Sequence, residues 1–299
     1  MTPLSIAIPT YRREQVLINT LTLLLAQSPR AAEILVIDQT AEHTPAVTAQ
    51  LQQWDQSGDI RWIRRAIPSI PAAMNAALRA AQHPLVLFLD DDLIPEPGLI
   101  SGHLEFQQDE SVWAVVGQVL QPGEVPTAVD CVRDHGLRAD LRFAFFSVAA
   151  TDLQNVMAGN LSVKRERAIA CGGFDENFVG AAYRFETEFA RRLIASGGRI
   201  RFQPASAIHH LRAPSGGTRA KGSHLTSADP IHGVGDYYFA LCQSQGLTRW
   251  AYILQRFFRE VRTRFHLWHP WWIPIKWIGE WRAIVWALRL HRAGPKWIR

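Results

Sequence analysis

Three consecutive carboxylates, Asp90, Asp91 and Asp92, directly follow the apolar run Leu85–Leu89. Such a run is typical of a strand buried on both faces, and in extended backbone Asp90 and Asp92 point to one side while Asp91 points to the other. Two carboxylates about 4 Å apart repel by roughly 4 kcal/mol at an effective dielectric constant near 20. A cation would offset this repulsion, and oxygen ligands on a short turn suit Mg²⁺ or Mn²⁺. A solvated acidic turn is the alternative, and the buried strand in front favours the metal site.

The strand that carries these acids belongs to a chain in which strand and helix patterns alternate. Strands are predicted over residues 4–8, 33–37 and 60–63. Such alternation predicts an α/β fold with a mostly parallel sheet, in which ligands bind at the carboxyl ends of the strands. Asp38 follows the second strand, where a ligand contact and a helix-cap or turn role are about equally open.

Several function classes are disfavoured by the composition and the motifs. No GxGxxG follows the first predicted strand and no GxxxxGK[ST] occurs, which disfavours a dinucleotide-dependent dehydrogenase and a P-loop NTPase. The chain is 47% hydrophobic and 20% charged, as expected of a globular protein. Its three cysteines form no CxxC pair, which indicates a reducing compartment without a disulfide framework. No basic segment followed by a long apolar core opens the chain, so a secretory signal is not expected.

The second half of the chain adds three pairs of candidate residues, each with a structural alternative. They are Gly159-Asn160, Glu186 with Glu188, and His209-His210. A glycine in a strand pattern permits close backbone approach to a ligand, but it can equally mark a bulge. Acids in the first turn of a helix are favoured by the helix dipole alone. Histidines at a strand end suit metal binding or a polar edge.

The order of these segments resembles that of family 2 glycosyltransferases. Residues 5–13 resemble the opening strand and loop of the family, residues 34–38 its second strand, and residues 88–92 its metal-binding DxD strand end. Gly159-Asn160, residues 172–176 and the acidic helix start resemble the acceptor half, and His210 matches a late histidine. The resemblance covers roughly residues 4–212.

The resemblance implies a GT-A fold and transfer of a sugar from a nucleotide-diphosphate donor, usually with inversion. The nucleotide-sugar site implied in this way consists of Pro9, Thr10, Tyr11, Asp38, Asn75, Asp90, Asp91, Gly159 and Asn160, with Asp38 on the base. The metal, Mn²⁺ or Mg²⁺, would be held by Asp92, Asp90 and His210, with His209 as the alternate. Glu186 stands where the family has its catalytic Asp, and Glu188 is the fallback base. Glu186 would take a proton from an acceptor hydroxyl.

The chain is expected to contain a GT-A domain over residues 1–212, with a nucleotide-sugar half to about 120 and an acceptor half from about 121. Within the acceptor half, residues 142–148 are a candidate strand. A mobile loop and connecting helix are expected over residues 213–248. Residues 249–299 hold eight of the eleven tryptophans and eleven Lys/Arg against two Asp/Glu, so they are expected to be a basic, amphipathic helical tail.

That tail has no run of about 18 uncharged apolar residues, so a spanning helix is not expected. Tryptophan and arginine on amphipathic helices suit an anionic leaflet, whereas packing on the catalytic domain or at a dimer interface is the alternative. Nucleic-acid binding is disfavoured, because the basic residues are interleaved with a continuous apolar face.

Together these features predict a metal-dependent, inverting glycosyltransferase at the cytoplasmic face of the cell membrane. The resemblance implies a UDP-sugar donor and a glycan or lipid-linked acceptor. The alternatives are a sugar-phosphate nucleotidyltransferase, which would need a glycine-rich basic loop after the first strand, and a non-catalytic sugar-nucleotide or membrane-binding module. The oligomeric state is left open.

Overall fold

The computed structural model describes residues 3–106, 108–129, 136–217 and 223–298. The strands in these ranges are β1 (Leu4–Thr10), β2 (Glu33–Asp38), β3 (Arg61–Arg64), β4 (Leu85–Leu89), β5 (Leu93–Pro95), β6 (Val112–Leu120), β7 (Thr151–Asp152), β8 (Asn160–Lys164) and β9 (Arg199–His210). The helices are α1 (Gln15–Leu25), α2 (Pro45–Ser57), α3 (Ile70–Ala80), α4 (Leu99–Leu104), α5 (Arg165–Ala170), α6 (Phe185–Ala195), α7 (Val234–Gln243), α8 (Gly246–Arg259), α9 (Arg264–Trp268) and α10 (Ile273–Ala293).

The described strands form one sheet in the order β3-β2-β1-β4-β8-β6-β9-β5, with β7 paired to β9. The first four strands in this order are all parallel. β8 runs antiparallel to β4 and β6, whereas β6 and β9 run parallel to each other. The predicted α/β class with a mostly parallel, helix-flanked sheet is therefore confirmed, and the reversed strands are β5, β7 and β8.

The central strand β4 is buried along its whole length, as its apolar run predicts. Val86 and Phe88 face a core cluster that includes α3, while Leu85, Leu87 and Leu89 face a second cluster that includes α1. Helices thus cover both faces of the sheet, and the three aspartates emerge at its carboxyl edge.

Two pairings of later strands bring the rest of the chain to those aspartates. β8 pairs Asn160 with Leu89, so Gly159 lies beside Asp90. A Cβ on Gly159 would come 2.3 Å from Asp90 Oδ2, so only glycine fits there. β5 pairs Leu93 with His210 of β9, which carries that histidine to the same edge.

The acceptor half lacks one predicted strand and contains one irregular strand. Residues 142–148 form no strand: only an isolated bridge joins Ser147 to Thr127, and residues 130–135 lie outside the described residues. Strand β9 continues through Pro204 with a register irregularity opposite Gly117 and Gln118 of β6. The irregularity keeps the two strands paired on both sides of the proline.

Helix α7, predicted as a connecting helix, is a core element. Tyr237, Tyr238 and Phe239 are almost fully buried, and α10 packs along the same helix. Aromatic residues on several faces of one helix require burial on all sides. The loop-rich sequence before α7 obscured this signal. Earlier in the predicted mobile segment, Gly217 N donates to Tyr11 O at 2.8 Å, so residues 213–217 lie on the first-strand loop.

The predicted tail is joined to the catalytic body through buried charges. Asp236 of α7 pairs with Arg256 of α8 at 2.7 Å, and Glu280 of α10 pairs with Lys276 at 2.7 Å and accepts the Tyr237 hydroxyl at 2.6 Å. All three helices therefore share one polar core. A detached tail would leave these charges in water, whereas residues 249–299 pack on the catalytic body, which is the alternative that the sequence left open.

The chain beyond α10 returns to the acceptor half as a C-terminal clamp, residues 294–298. Lys296 N donates to Asp175 Oδ1 at 2.9 Å, Glu176 N donates to Lys296 O at 3.0 Å, and Ile298 N donates to Gly172 O at 2.8 Å. The clamp holds the loop of residues 172–176 from one side, while Asn75 of α3 holds it from the other. Among the described helices, none combines the length and the apolar character that crossing a bilayer requires.

Candidate active site

Asp90, Asp92 and His210 form a compact cluster whose potential ligand atoms all lie within 4.8 Å of one another. His210 Nε2 lies 3.1 Å from Asp92 Oδ1 and 3.8 Å from Asp90 Oδ2. Gln121 Oε1 lies 2.9 Å from His210 Nδ1 and holds the ring in place. Two carboxylates and one oriented imidazole fit Mn²⁺ or Mg²⁺, with open positions for substrate oxygens.

The two aspartates of this cluster differ in their electrostatics. Loss of solvation at the floor of the cleft raises the pKa of Asp90, and the charge of Asp92 adds to the rise. Burial also acts to raise the pKa of Asp92. Hydrogen bonds from His210 and Ala213 N, together with the charges of His210 and Arg13, outweigh burial and hold the pKa of Asp92 below its usual value. Asp92 is therefore ionised and ready to bind a cation across the physiological pH range.

His209 faces away from the cluster, and its assignment as the alternate ligand is wrong. Its Nε2 lies 2.7 Å from Glu96 Oε1 at the surface. Successive side chains of a strand point to opposite faces, so His209 and His210 cannot both reach the aspartates.

Asp91 lies among the residues that line the cleft, but its carboxylate is engaged from within the protein. Thr10 Oγ1 donates to it at 2.7 Å and Arg13 Nε at 3.1 Å. Burial raises its pKa to about 6 in spite of both partners. Arg13 also lies 3.3 Å from Asp92 and donates to Ser215 O, so it ties the first-strand loop to the metal cluster. The sequence reasoning missed Arg13, although it stands three residues after the strand end.

The cluster opens into a cleft of about 250 Å³. Pro9, Thr10 and Tyr11 line it, as the resemblance implies, together with Gln39, Ser69, Ile70, Met74 and Gly180. Its walls thus come from the loops after β1 and β2, the start of α3 and the acceptor half. This is the carboxyl edge of the sheet, where α/β proteins bind nucleotides.

Asp38 does not belong to the cleft lining. It is fully buried, and its carboxylate accepts from Thr40 N at 2.8 Å and from Trp62 Nε1 at 2.9 Å, with His43 Nε2 at 2.9 Å. Reaching a base would break these contacts in the interior, so the structure contradicts the predicted base contact. Gln39, the next residue, faces the cleft instead.

Asn75 and Asn160, both predicted in the nucleotide-sugar site, are buried structural residues. Asn75 exchanges hydrogen bonds with the backbone of Phe174 at 2.8 Å and donates to Glu176 at 3.1 Å. Asn160 donates to Gln118 O and Ser206 O, and its Oδ1 lies 2.8 Å from His103 Nε2. An amide whose donors and acceptor are satisfied internally has nothing left for a ligand. Gly159 acts through its closeness to Asp90.

Glu186 lies behind Ala158, which lines the cleft, and accepts a hydrogen bond from Ala158 N. Burial raises its pKa to about 7, and the charge of Asp90 adds to the rise. A carboxylate with such a pKa both binds and releases a proton near neutral pH, which suits a general base.

Glu188, the fallback base, is unavailable. Its two carboxylate oxygens accept from Arg192 Nε at 2.6 Å and from Arg192 Nη2 at 2.8 Å, and the side chain is buried. Arg192 also donates to the carbonyls of Cys171 and Gly173, so the pair anchors α6 to the clamped loop. The fallback assignment is therefore wrong.

Comparisons with known proteins show similarity to glycosyltransferases. Residues 5–146 match the family described as Glycosyl transferase family 2, which confirms the resemblance in the sequence. The chain is 23% identical over 257 residues to chondroitin synthase of Escherichia coli, a match that covers 75% of this chain and 37% of that protein. The chain thus spans little more than a third of that relative's length.

Solved structures share the fold over most of the chain. GalNAc-T7 with UDP, GalNAc and Mn²⁺ aligns with a TM-score of 0.60 at 14% identity over 81% of this chain and 50% of that one. The mannosyltransferase PcManGT of Pyrobaculum calidifontis, with GDP-Man and Mn²⁺, aligns at 0.57 with 18% identity over 98% and 79%. Residues 1–349 of TarS of S. aureus, with UDP-GlcNAc, align at 0.56 with 14% identity over 84% and 66%. The GT-A fold is confirmed.

Proposed function

We propose that this chain, whose first half carries the family 2 glycosyltransferase pattern, is a metal-dependent, inverting glycosyltransferase. It moves a sugar from a nucleotide-diphosphate donor, a UDP-sugar, to a hydroxyl of a glycan or lipid-linked acceptor. The observation that carries the proposal is the cluster of Asp90, Asp92 and His210 in the cleft, with the Glu186 carboxylate, whose pKa is about 7, directly behind the cleft wall at Ala158.

The residues present divide the chemistry between them. Asp90, Asp92 and His210 would hold the cation, and a cation bound there would neutralise the charge that grows on the departing diphosphate. Glu186 takes the proton of the acceptor hydroxyl while that oxygen bonds to the anomeric carbon. The bond from that carbon to the diphosphate oxygen breaks, and the diphosphate leaves with the electron pair. A single displacement of this kind inverts the anomeric configuration.

The choice of donor and metal rests on similar proteins. GalNAc-T7 binds UDP with Mn²⁺, PcManGT binds GDP-Man with Mn²⁺, and TarS binds UDP-GlcNAc. Two of these three ligands carry uridine, which supports UDP as the first donor to test. Both Mn²⁺ and Mg²⁺ fit the oxygen-rich cluster, and Mn²⁺ is the better match to an imidazole ligand.

Calorimetric titration of UDP with and without Mn²⁺ tests the proposal. Wild type is expected to bind UDP only with Mn²⁺, and Asp92→Asn is expected to lose this binding because the cluster loses a charged ligand. Asp59→Asn is the matched control, because Asp59 pairs with Arg30 at the surface. If wild type binds no nucleotide diphosphate, UDP or GDP, with either cation, the proposal fails.

The localisation proposed is peripheral, on the cytoplasmic face of an anionic membrane. Trp250, Leu254 and Phe258 on α8, and Leu267, Trp268 and Trp271 around α9, are exposed to between 44% and 80%. Arg262 and Arg264 stand among these side chains. Indole rings and arginine in such a mixture suit the headgroup layer of anionic lipids, where each basic residue adds about 1 kcal/mol.

Co-sedimentation with vesicles tests this localisation. The variant Trp268→Ala/Trp271→Ala is expected to bind phosphatidylglycerol vesicles at least tenfold less tightly than wild type. Neither protein is expected to bind phosphatidylcholine vesicles. Trp113→Ala, near the start of β6, serves as the control. Equal binding of wild type and the double variant would contradict a membrane role for these residues.

A further inference from the structure

A groove runs along the outer face of α10. Pro230 lines it on one side, and Trp281, Arg282, Val285, Trp286 and Arg289 line it along the helix. These five helical positions recur with spacings of one, three or four residues, so they share one face. From Trp281 to Arg289 the helix rises about 12 Å, roughly the length of a disaccharide.

The groove is positively charged. Among the described residues, neither Arg282 nor Arg289 forms an ion pair, and no carboxylate lines the groove. Arg282 Nη1 donates to Ala228 O at 3.0 Å, which fixes the direction of its side chain. The neighbouring acid, Asp229, accepts from Ile231 N at 3.0 Å and caps the short turn Pro230–His232. The guanidinium groups are therefore left to attract an external anion.

The groove also offers aromatic surface. Trp281 is 63% exposed, whereas Trp286 is partly buried against the core and therefore fixed. Indole faces stack on the C–H faces of sugar rings, and guanidinium groups pair with carboxylates. A concave site with both kinds of group fits a glycan chain. A flat bilayer surface would instead contact side chains that protrude from the protein.

The turn Pro230–His232 separates this groove from the catalytic cleft. Gly180 lines the cleft, and a Cβ placed on it would lie 2.7 Å from Ile231 Cβ. Pro230, which directly precedes Ile231, lines the groove. A single turn of chain therefore stands between the acceptor side of the cleft and the two tryptophans, and a bound chain molecule can cross it.

We propose that the α10 groove binds an acceptor glycan at sugar units beyond the reacting one, and that this glycan is negatively charged. The proposal rests on the glycosyltransferase function proposed above. It assigns the carboxylates of the acceptor to Arg282 and Arg289 and one of its sugar rings to Trp281. Donor binding uses none of these residues, so the two proposals are tested by different ligands.

Calorimetric titration with oligogalacturonides, which carry carboxylates, and with neutral malto-oligosaccharides of equal length tests the groove. Wild type is expected to bind the acidic series and not the neutral one. Arg282→Gln/Arg289→Gln is expected to weaken that binding about tenfold or more, because charge-assisted hydrogen bonds are lost. Trp281→Ala is expected to weaken it severalfold. Arg264→Gln changes an exposed arginine outside the groove and is the matched control, which is expected to bind as wild type does.

Each other outcome overturns the proposal. Equal binding of the acidic and neutral series, or equal loss in Arg264→Gln, shows that the groove does not recognise an anionic glycan. Loss of phosphatidylglycerol vesicle binding in the Arg282/Arg289 variant, with oligogalacturonide binding unchanged, assigns the groove to lipid instead. UDP titration with Mn²⁺ on the same samples reports the donor site separately, so a failure of the catalytic proposal is seen independently.

Discussion

Replacing Glu186 by Gln gives the sharpest test of the catalytic reasoning. Glutamine keeps the size of the side chain and an oxygen that can accept from Ala158 N, but it cannot take a proton. A general base contributes about 10²–10⁴ in rate, so Glu186→Gln is expected to lower kcat by that factor. This corresponds to about 3–5 kcal/mol of transition-state stabilisation. UDP binding with Mn²⁺ is expected to stay unchanged, because the cluster is intact.

The pH dependence follows from the same side chain. With a pKa of about 7, Glu186 is about one tenth ionised at pH 6 and about nine tenths ionised at pH 8. The ionised form is the base, so kcat is expected to rise about tenfold from pH 6 to pH 8. Glu186→Asp restores a carboxylate with shorter reach, and its rate is expected to lie between those of wild type and Glu186→Gln.

Release of nucleoside diphosphate from the donor in the presence of an active acceptor measures these rates. A wild-type rate that stays flat from pH 6 to pH 8, or a Glu186→Gln rate above one tenth of wild type, would refute the assignment. The stability of the variant gives an independent check. The pKa of Glu186 in the folded protein lies above its unfolded value of 4.5. The folded protein therefore loses stability as the pH rises through 7. Glu186→Gln is therefore expected to be more stable than wild type at pH 8, by up to about 3 kcal/mol in urea unfolding.

Two further predictions concern the surroundings of the site. Asp236→Asn removes the buried carboxylate that pairs with both Arg256 and Arg184, so urea unfolding is expected to show a loss of about 3–5 kcal/mol. The surface control Asp59→Asn is expected to lose less than about 1 kcal/mol. A small loss in Asp236→Asn would show that apolar contacts and the remaining ion pairs hold the helices. Gln121→Leu removes the partner of His210 Nδ1, and Mn²⁺ titration followed by electron paramagnetic resonance is expected to show 10–100-fold weaker binding, about the usual cost of an outer-sphere change. Unchanged affinity would contradict a role for Gln121 in orienting a metal-binding His210.

The central strand and the metal cluster were predictable because their signals are local. Five consecutive apolar residues require burial on both faces, and the alternation of side chains in extended backbone separates Asp91 from Asp90 and Asp92. The place of His210 came from the resemblance, since its pairing partner Leu93 is remote in sequence.

The misassigned residues share one physical cause. Asp38, Asn75 and Asn160 are polar residues at loop or strand ends, which suits ligand binding as well as internal hydrogen bonding. Their actual partners, such as Trp62 for Asp38, are set by tertiary contacts that a sequence pattern does not contain. Glu188 is a partial exception, because Arg192 stands four residues further along the same helix and such a pair is readable from spacing.

The amphipathic pattern of the tail predicted its helices but not what covers them. An apolar face fits a membrane, a partner or the parent domain equally well. The buried charge of Asp236 indicates the parent domain only once its partner Arg256 on α8 is known, and that pairing is a tertiary contact.

The C-terminal clamp has a consequence for how the protein folds. Lys296 and Asp175 are joined across 121 residues, and Asn75 and Phe174 across 99. Contacts between such distant residues slow folding, because the intervening chain must be brought together before they form. The acceptor half is therefore expected to reach its native packing late, after α7, α8 and α10 have associated. Nascent or shortened chains that lack residues 294–298 are expected to expose the loop of residues 172–176 and to depend on chaperones, even though Asp90, Asp92 and His210 are already present.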